Sequence, residues 1–218
     1  MAFITEKIKQ NLAYPAILMG SVTLVVCTLL LLTNNITAEP IAQRQREDLT
    51  KLLNQVLPSH FYDNQPLDNK YQTTLMGQKL IFYRAKRKDN VSAIILFTKS
   101  AGYSGDISLL VAITADANVS GVRVLSHTET PGLGDKIELP KSNWILSFNG
   151  LSLSNPTPSG WAVTKDGGQF DAFSGATITP RAVIKGVYSI LQQFKENKSF
   201  FLQINEPTSP SETSKSTS

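Results

Sequence analysis

The sequence predicts an α+β fold, with a single N-terminal transmembrane helix followed by a mainly antiparallel sheet and flanking helices. Three observations predict it. No charged residue lies between Lys9 and Glu39, and Ala13 to Thr33 is almost entirely apolar. From residue 77 onward, short alternating runs are separated by turn residues. Near the end, an apolar stripe at helical spacing follows Thr179-Pro180.

The first run is long enough to cross a ~30 Å hydrocarbon layer as a helix, which takes about 20 residues. Cys27 sits within it as a small apolar packing residue. The basic flanks, Lys7 and Lys9 against Arg44 and Arg46, are nearly balanced. A short tail before the span and a large domain after it read as a signal anchor with the domain exported. Ile36-Thr37-Ala38 is a poor match to a cleavage site, so the anchor is read as uncleaved. The span holds no ionisable carboxylate or basic residue, which argues for an anchor rather than an ion path.

Pro40 suits a first helical turn, and Leu49, Leu52, Leu53, Val56 and Leu57 then recur at three-four spacing up to Pro58. This amphipathic helix either continues the span as a stalk or packs on the domain. Strands are expected at Lys79–Arg84, Val91–Phe97, Ile107–Thr114, Val119–Val124 and Trp161–Lys165. Lys88-Asp89-Asn90 and Asp116–Asn118 supply turn chemistry between neighbours, which makes hairpins. The last helix is expected to be capped by Thr179, with Val183, Ile184, Val187, Ile190, Leu191 and Phe194 inward and Lys195 and Lys198 at its end. The organisation is therefore a tail over 1–12, a transmembrane helix over 13–33, a stalk and linker over 34–76, a domain over 77–204 and a disordered tail over 205–218.

Composition narrows the function. One cysteine excludes a disulfide framework, a cysteine-only zinc site and a cysteine-bound iron–sulfur cluster. No metal-ligand cluster stands out. Arg84-Ala-Lys86-Arg87-Lys88 is the nearest approach to a basic run, and no aromatic ladder accompanies it. It reads as a solvated hairpin tip, and nucleic acid is not expected as a partner.

Two segments carry more specification than folding needs. His127-Thr-Glu129-Thr130-Pro-Gly-Leu133-Gly-Asp-Lys136 has two glycines and a proline after a strand. It is either a structural turn with a solvated glutamate or one wall of a site. It matches neither a dinucleotide fingerprint nor a P-loop. Asp166-Gly-Gly-Gln-Phe-Asp171-Ala-Phe-Ser174-Gly175-Ala176-Thr177-Ile-Thr179 places small and hydroxyl residues before a helix start. That is either an ordinary cap or a place where backbone N–H groups meet a phosphate.

Asp171-Ala-Phe-Ser174-Gly175-Ala176-Thr177 matches the Asp-x-x-(Ser/Thr)-Gly-Ala-(Thr/Ser) motif of the covalent FMN-binding domain family. Glu129 to Glu138, Gly175 to Val183 and Gly102-Tyr-Ser-Gly105 extend the match. With the N-terminal anchor, the chain resembles the G subunits of Rnf/Rsx ion-translocating electron transport complexes over roughly residues 5 to 200. The C subunits of Na⁺-translocating NADH:quinone reductases are the alternative; they share the domain but are usually longer.

The resemblance implies an FMN joined by a phosphoester to the Thr177 hydroxyl, installed from FAD by a separate Mg²⁺-dependent flavin transferase. It implies that Asp171 serves that modification and that Ser174, Gly175 and Ala176 border the phosphate and ribityl chain. Glu129, Thr130 and Leu133 should lie against the flavin ring. It further implies an electron carrier without independent catalytic activity, working with the other subunits of the complex in a bacterial inner membrane. The domain would be periplasmic and the N-terminal tail cytoplasmic. Electron flow would be coupled to ion translocation and, in the Rsx variant, to reduction of a redox-sensing regulator. The resemblance implies neither a catalytic residue nor a metal ligand. Two other readings are a hydrolase with Thr177 or Ser174 as nucleophile and His127 as base, and a membrane-tethered binding module without covalent cofactor. His60, beside Pro58, is expected at the surface.

Overall fold

The computed structural model describes residues 13–75 and 78–203. The tails expected over 1–12 and 205–218 lie outside the described residues. The chain divides into two compact units, residues 1–49 and 50–218.

The described residues of the first unit, 13–49, belong to α1, which runs over Ala13–Val56 with Pro40 inside it. Among the described residues α1 is the one helix long and apolar enough to cross a membrane, with a mean hydropathy of 2.4 in its most apolar window. Its hydroxyls are satisfied within the helix: Thr23, Thr28, Thr33 and Thr37 each donate to the carbonyl four residues back. That arrangement suits lipid, where no water is available to take up a hydroxyl proton. Leu18, Leu24, Leu30 and Leu32 are exposed, as is Cys27. The sequence pattern begins a second helix at Pro40; in the structure the first helix passes through it. A proline removes one ladder hydrogen bond at a cost of ~3 kcal/mol, and the good helix formers around it, Ala38, Glu39, Gln43 and Arg44, sustain the helix.

The second unit is built on one five-stranded antiparallel meander, in chain order. Its strands are β1 (Lys70–Leu75), β2 (Gln78–Arg87), β3 (Asn90–Ala101), β4 (Asp106–Thr114) and β5 (Val119–Ser126). Both faces are covered, as the period-two patterning requires. On one face Phe82, Leu96, Leu109, Val111 and Val122 pack with α2 (Ile178–Glu196), whose Val183, Ile184, Val187, Ile190, Leu191 and Phe194 are all buried. On the other, Tyr83, Ile95, Leu110 and Ala112 pack with Leu53, Val56 and Leu57 at the end of α1. That end is further held by Arg123 of β5, which donates from Nε to Gln55 Oε1 at 3.0 Å and from Nη2 to the Gln55 carbonyl at 3.1 Å.

Four details depart from the sequence pattern. β1 lies in the stretch expected as linker; it is an edge strand with half-buried Tyr71, Thr73 and Leu75 alternating with exposed polar residues, so its apolar period is weak. Trp161–Lys165 is not a strand. Val163 makes one isolated bridge to Phe170, and Thr164–Asp166 turns as a 3-10 segment, because Gly167 and Gly168 return the chain before a ladder can grow. Lys198 does not end α2. The helix stops at Glu196, and Lys198 opens a short helix α3 (Lys198–Leu202), which buries Phe201.

Arg84 is buried rather than part of a solvated tip. The β2–β3 turn does occur at Lys88 and Asp89, both with positive φ. Arg84 points the other way, donating from Nε to the Phe201 carbonyl at 3.0 Å and from Nη2 to the Phe200 carbonyl at 3.0 Å. Its guanidinium lies 4.4 Å from the Tyr71 ring centroid. It thus occupies the end of α3, where carbonyls lack helical partners. Burial lowers the Arg84 pKa from its ordinary value, and Tyr71 opposes that shift.

Replacing Arg84 by Met leaves both carbonyls buried without these donors. We expect a loss of about 2–4 kcal/mol in urea unfolding of the full chain in detergent micelles, with Arg84→Lys recovering only part because an ammonium lacks the planar fork.

Candidate functional site

Three chain segments converge on one cleft. β3 and β4 are joined by a turn at Gly102–Gly105, closed by the Gly102 N–H donating to the Gly105 carbonyl at 2.8 Å. β5 runs into His127-Thr128-Glu129, followed by a turn in which the Leu133 and Gly134 N–H groups donate to the Thr130 carbonyl. The third segment is Gly175-Ala176-Thr177 at the start of α2, with Thr177 at the N-cap and Thr179 and Pro180 in the first turn.

A single carboxylate ties the three together. Glu129 is 4% exposed. Its Oε1 accepts from the Tyr103 N–H at 2.9 Å and the Ser104 N–H at 3.0 Å. The Thr179 hydroxyl donates to its Oε2. The sequence pattern expects Thr179 to cap this helix, but the helix starts earlier, with Thr177 at the N-cap, and the Thr179 hydroxyl in the first turn donates to Glu129 instead. Nor is Glu129 a solvated turn residue. The turn is built around it: a Cβ on Gly102 would sit 2.5 Å from Glu129 Oε1, closer than any side chain allows.

His127 supports the same segment. Its Nδ1 accepts the Glu129 N–H at 3.1 Å, so its other nitrogen carries the hydrogen toward Glu138 Oε1 at 2.9 Å. Both ring nitrogens are engaged, and His127 does not line the cleft. A hydrolase using it as base finds no support in this geometry.

The α2 start is buttressed from behind by an aromatic cluster. Trp144, Phe148, Trp161, Phe170 and Phe173 stack or meet edge-on with centroids 4.7–6.4 Å apart. Trp144 Nε1 donates to the Asp171 carbonyl at 2.9 Å. Ser100 Oγ of β3 donates to the Ala182 carbonyl at 2.7 Å, fixing the first turns of α2 against the sheet. Arg181 grips Asp166 with two hydrogen bonds of 2.7 Å. That contact holds the Asp166 carboxyl below its ordinary pKa and Arg181 above its own.

The cleft measures about 610 Å³, within the range of small-molecule sites. Of the residues singled out from sequence, Glu129, Thr130, Leu133, Gly175, Ala176 and Thr177 line it. Ser174 and Asp171 are exposed and lie off it. Gly134, in the loop expected against the ring, and Thr179, among the hydroxyls expected at the helix start, line the cleft too, whereas sequence reasoning missed Tyr103, Lys165 and Ile178 as lining residues. Among the described residues, Tyr103, Leu133 and Ile178 are the exposed large apolar side chains outside α1, and all three are on this cleft. No group of metal-ligating side chains occurs among the described residues.

An FMN fits this chemistry: an apolar rim for a flat ring, and hydroxyl and cationic groups for a phosphate. Gly175, at φ 80°, brings bare backbone to the cleft wall beside Leu133.

Known families agree with that fit. An FMN-binding domain family matches residues 102–192, and a family described as the RnfG N-terminal region matches residues 4–56. The chain is also similar to G subunits of ion-translocating oxidoreductase complexes. That of Stutzerimonas stutzeri is 42% identical over 208 residues, covering 95% of this chain and 90% of the relative. Its counterpart in Pseudomonas aeruginosa is 43% identical over 206 residues, covering 91% and 95%. That of Cereibacter sphaeroides is 44% identical over 202 residues, covering 92% of each. Among solved structures, Shewanella oneidensis NqrC is similar with a TM-score of 0.41 and 25% identity, covering 57% of this chain and 69% of that one.

Two outcomes follow from the site's bonding. In Glu129→Ala the Tyr103 and Ser104 amides lose their acceptor, and their hydrogen exchange should accelerate about tenfold or more while strand amides of β3 and β4 stay protected. The Asp166–Arg181 contact contributes stability above 3.8, the ordinary Asp value, and loses it as pH falls through the lower folded value. A carboxyl NMR titration should show Asp166 below 3.8 and returning to it in Arg181→Gln.

Proposed function

The chain belongs to the family of G subunits of ion-translocating oxidoreductase complexes, and we propose that it carries its FMN on Thr177 as an electron-transfer subunit of such a complex. The observation that carries this reading is the coincidence of Thr177, at the N-cap of α2, with the rim formed by the domain's exposed apolar side chains. The bond we propose is a phosphoester from the Thr177 hydroxyl to the FMN phosphate, made from FAD by a flavin transferase. Asp171 is exposed and off the cleft, which suits a residue that a transferase reads rather than one that holds the ring.

Each wall has a job in this reading. Gly175 and Ala176 leave room for the phosphate near the first N–H groups of α2, whose dipole favours an anion. Leu133, Tyr103 and Ile178 offer the ring apolar contact, and Thr130 offers a hydroxyl. Glu129 fixes the three segments to one another. FMN supplies one- and two-electron redox chemistry when bound, and the protein sets its position and surroundings. The cleft is open, so a ring held by a tether need not be enclosed to be retained, and it stays within reach of partner subunits.

α1 anchors the chain, and the domain is proposed to face the periplasm. A cysteine-free domain suits that compartment. The relatives that match over most of the chain are G subunits, which favours that assignment over the C subunit of a Na⁺-translocating NADH:quinone reductase.

The test is flavin fluorescence on a denaturing gel, with the full chain co-produced with an exported flavin transferase. Wild type should fluoresce and Thr177→Val should not. A dark wild-type band, with the transferase active on a control protein, would remove the covalent reading and leave a binding module.

A further inference from the structure

We propose that Lys165 is the cationic partner of the flavin phosphate, held over the cleft by a turn built for that purpose; this rests on the reading of the cleft as the FMN site. Nothing in the family motif near Thr177 points to it, since it lies in the stretch whose sequence pattern suggests a strand.

The argument begins with charge. Two charged side chains of opposite sign line the cleft, Glu129 and Lys165. Glu129 is spent: both its oxygens accept hydrogen bonds from within the protein. The neighbouring acid, Asp166, is gripped at both oxygens by Arg181. Lys165 makes no direct ion pair or side-chain hydrogen bond with a described residue and meets its neighbour Asp166 only as a through-space attraction. The cleft therefore presents one charge without a hydrogen-bonded partner, and it is positive, which selects for an anionic ligand group. Thr177 and Gly175 share the lining with it.

The turn that carries Lys165 is over-determined for a surface loop. The Thr164 N–H donates to the Phe170 carbonyl at 2.7 Å, and the Gly168 N–H to the Val163 carbonyl at 3.1 Å. Gly167 takes the left-handed conformation at φ 82°. A Cβ on Gly168 would fall 2.0 Å from the Ala162 carbonyl oxygen, so this residue can only be glycine. Val163 and Phe170, at the base, are buried in the aromatic cluster. The Asp166–Arg181 grip then ties the tip to the first turn of α2, where Thr177 is the N-cap. The backbone that carries Lys165 and the helix start that carries Thr177 are thus tied to one another by the turn and by a bidentate ion pair. That pre-organisation is what a point-charge contact to a phosphate needs.

A direct test separates the phosphate contact from the covalent bond. The full chain with Thr177→Val, in detergent micelles, cannot be flavinylated at that position. It is titrated with FMN and with riboflavin, which lacks the phosphate, following flavin fluorescence. We expect FMN to bind more tightly than riboflavin, with a preference that shrinks as salt rises. Adding Lys165→Gln should weaken FMN about fivefold and leave riboflavin unchanged, whereas Lys165→Arg should keep most of the preference. An FMN-to-riboflavin ratio unchanged by Lys165→Gln overturns the proposal. If binding without the tether is too weak to titrate, the phosphorus NMR resonance of the tethered group decides. A shift between wild type and Lys165→Gln supports the contact, and identical resonances overturn it. The gel experiment with Thr177→Val fails or succeeds independently of these ratios, so loss of the covalent reading and loss of the Lys165 contact are distinguishable.

Discussion

The Glu129 carboxylate is the constraint on which the site depends. It receives two backbone N–H groups from the β3–β4 turn and one hydroxyl from the first turn of α2. These donors lie 25, 26 and 50 residues away in the chain, so no local preference could bring them together. A buried carboxylate is costly unless its lone pairs are met, and here they are met by groups that must be held in place for the cleft to exist. The His127 ring then holds the Glu129 backbone from the other side, and Glu138 fixes the ring. Polar bonding thus does for the front of the site what apolar packing does behind it.

The two buried arginines follow the same logic with the sign reversed. Arg84 and Arg123 both donate to carbonyls at helix ends. Such ends carry partial negative charge and unpaired acceptors, which a guanidinium meets with its fork of donors. The sheet is clamped at two places in this way, Arg84 from β2, beside the edge strand β1, to α3 and Arg123 from the edge strand β5 to the end of α1. Between those clamps the sheet is an ordinary meander with two covered faces, and it leaves its β3–β4 turn and the end of β5 available to the cleft.

How far the sequence was legible follows from where each signal resides. The α+β class, the antiparallel hairpins and the inward stripe of α2 were legible because Ile107, Leu109, Val111 and Ile113, and Val183 to Phe194, repeat at periods of two and 3.6. β1 was not, because an edge strand buries little and Tyr71, Thr73 and Leu75 make a weak alternation. Trp161–Lys165 misled for the opposite reason: Trp161 and Val163 are buried as strand residues would be, but in an aromatic cluster reached by a turn. For the site, the hydroxyl cluster around Thr177 and the Glu129 loop was legible as motif, and Tyr103 lay in a matched segment, while the places of Tyr103, Lys165 and Ile178 on the cleft wall were not legible. Their roles arise from tertiary placement. Thr179 carries a strong capping signal, yet the helix begins at Ile178 with Thr177 at the N-cap, which leaves Thr179 in the first turn with its hydroxyl turned to Glu129.

The distribution of exposed apolar surface bears on what the domain is for. Soluble surfaces tolerate scattered apolar side chains, and a cluster of them signals a partner. Among the described residues outside α1, the exposed large apolar side chains are Tyr103, Leu133 and Ile178, and they sit together around one cleft. If tight retention of a flavin were left to non-covalent contact, the ring would have to be enveloped, as small ligands generally are. The covalent bond proposed at Thr177 would remove that requirement. The rim would then need only to orient the ring, and the ring's remaining face would be free for the subunit that exchanges electrons with it. An open cleft would be a defect in a binding protein that relies on affinity; in a tethered carrier it is the condition for transfer.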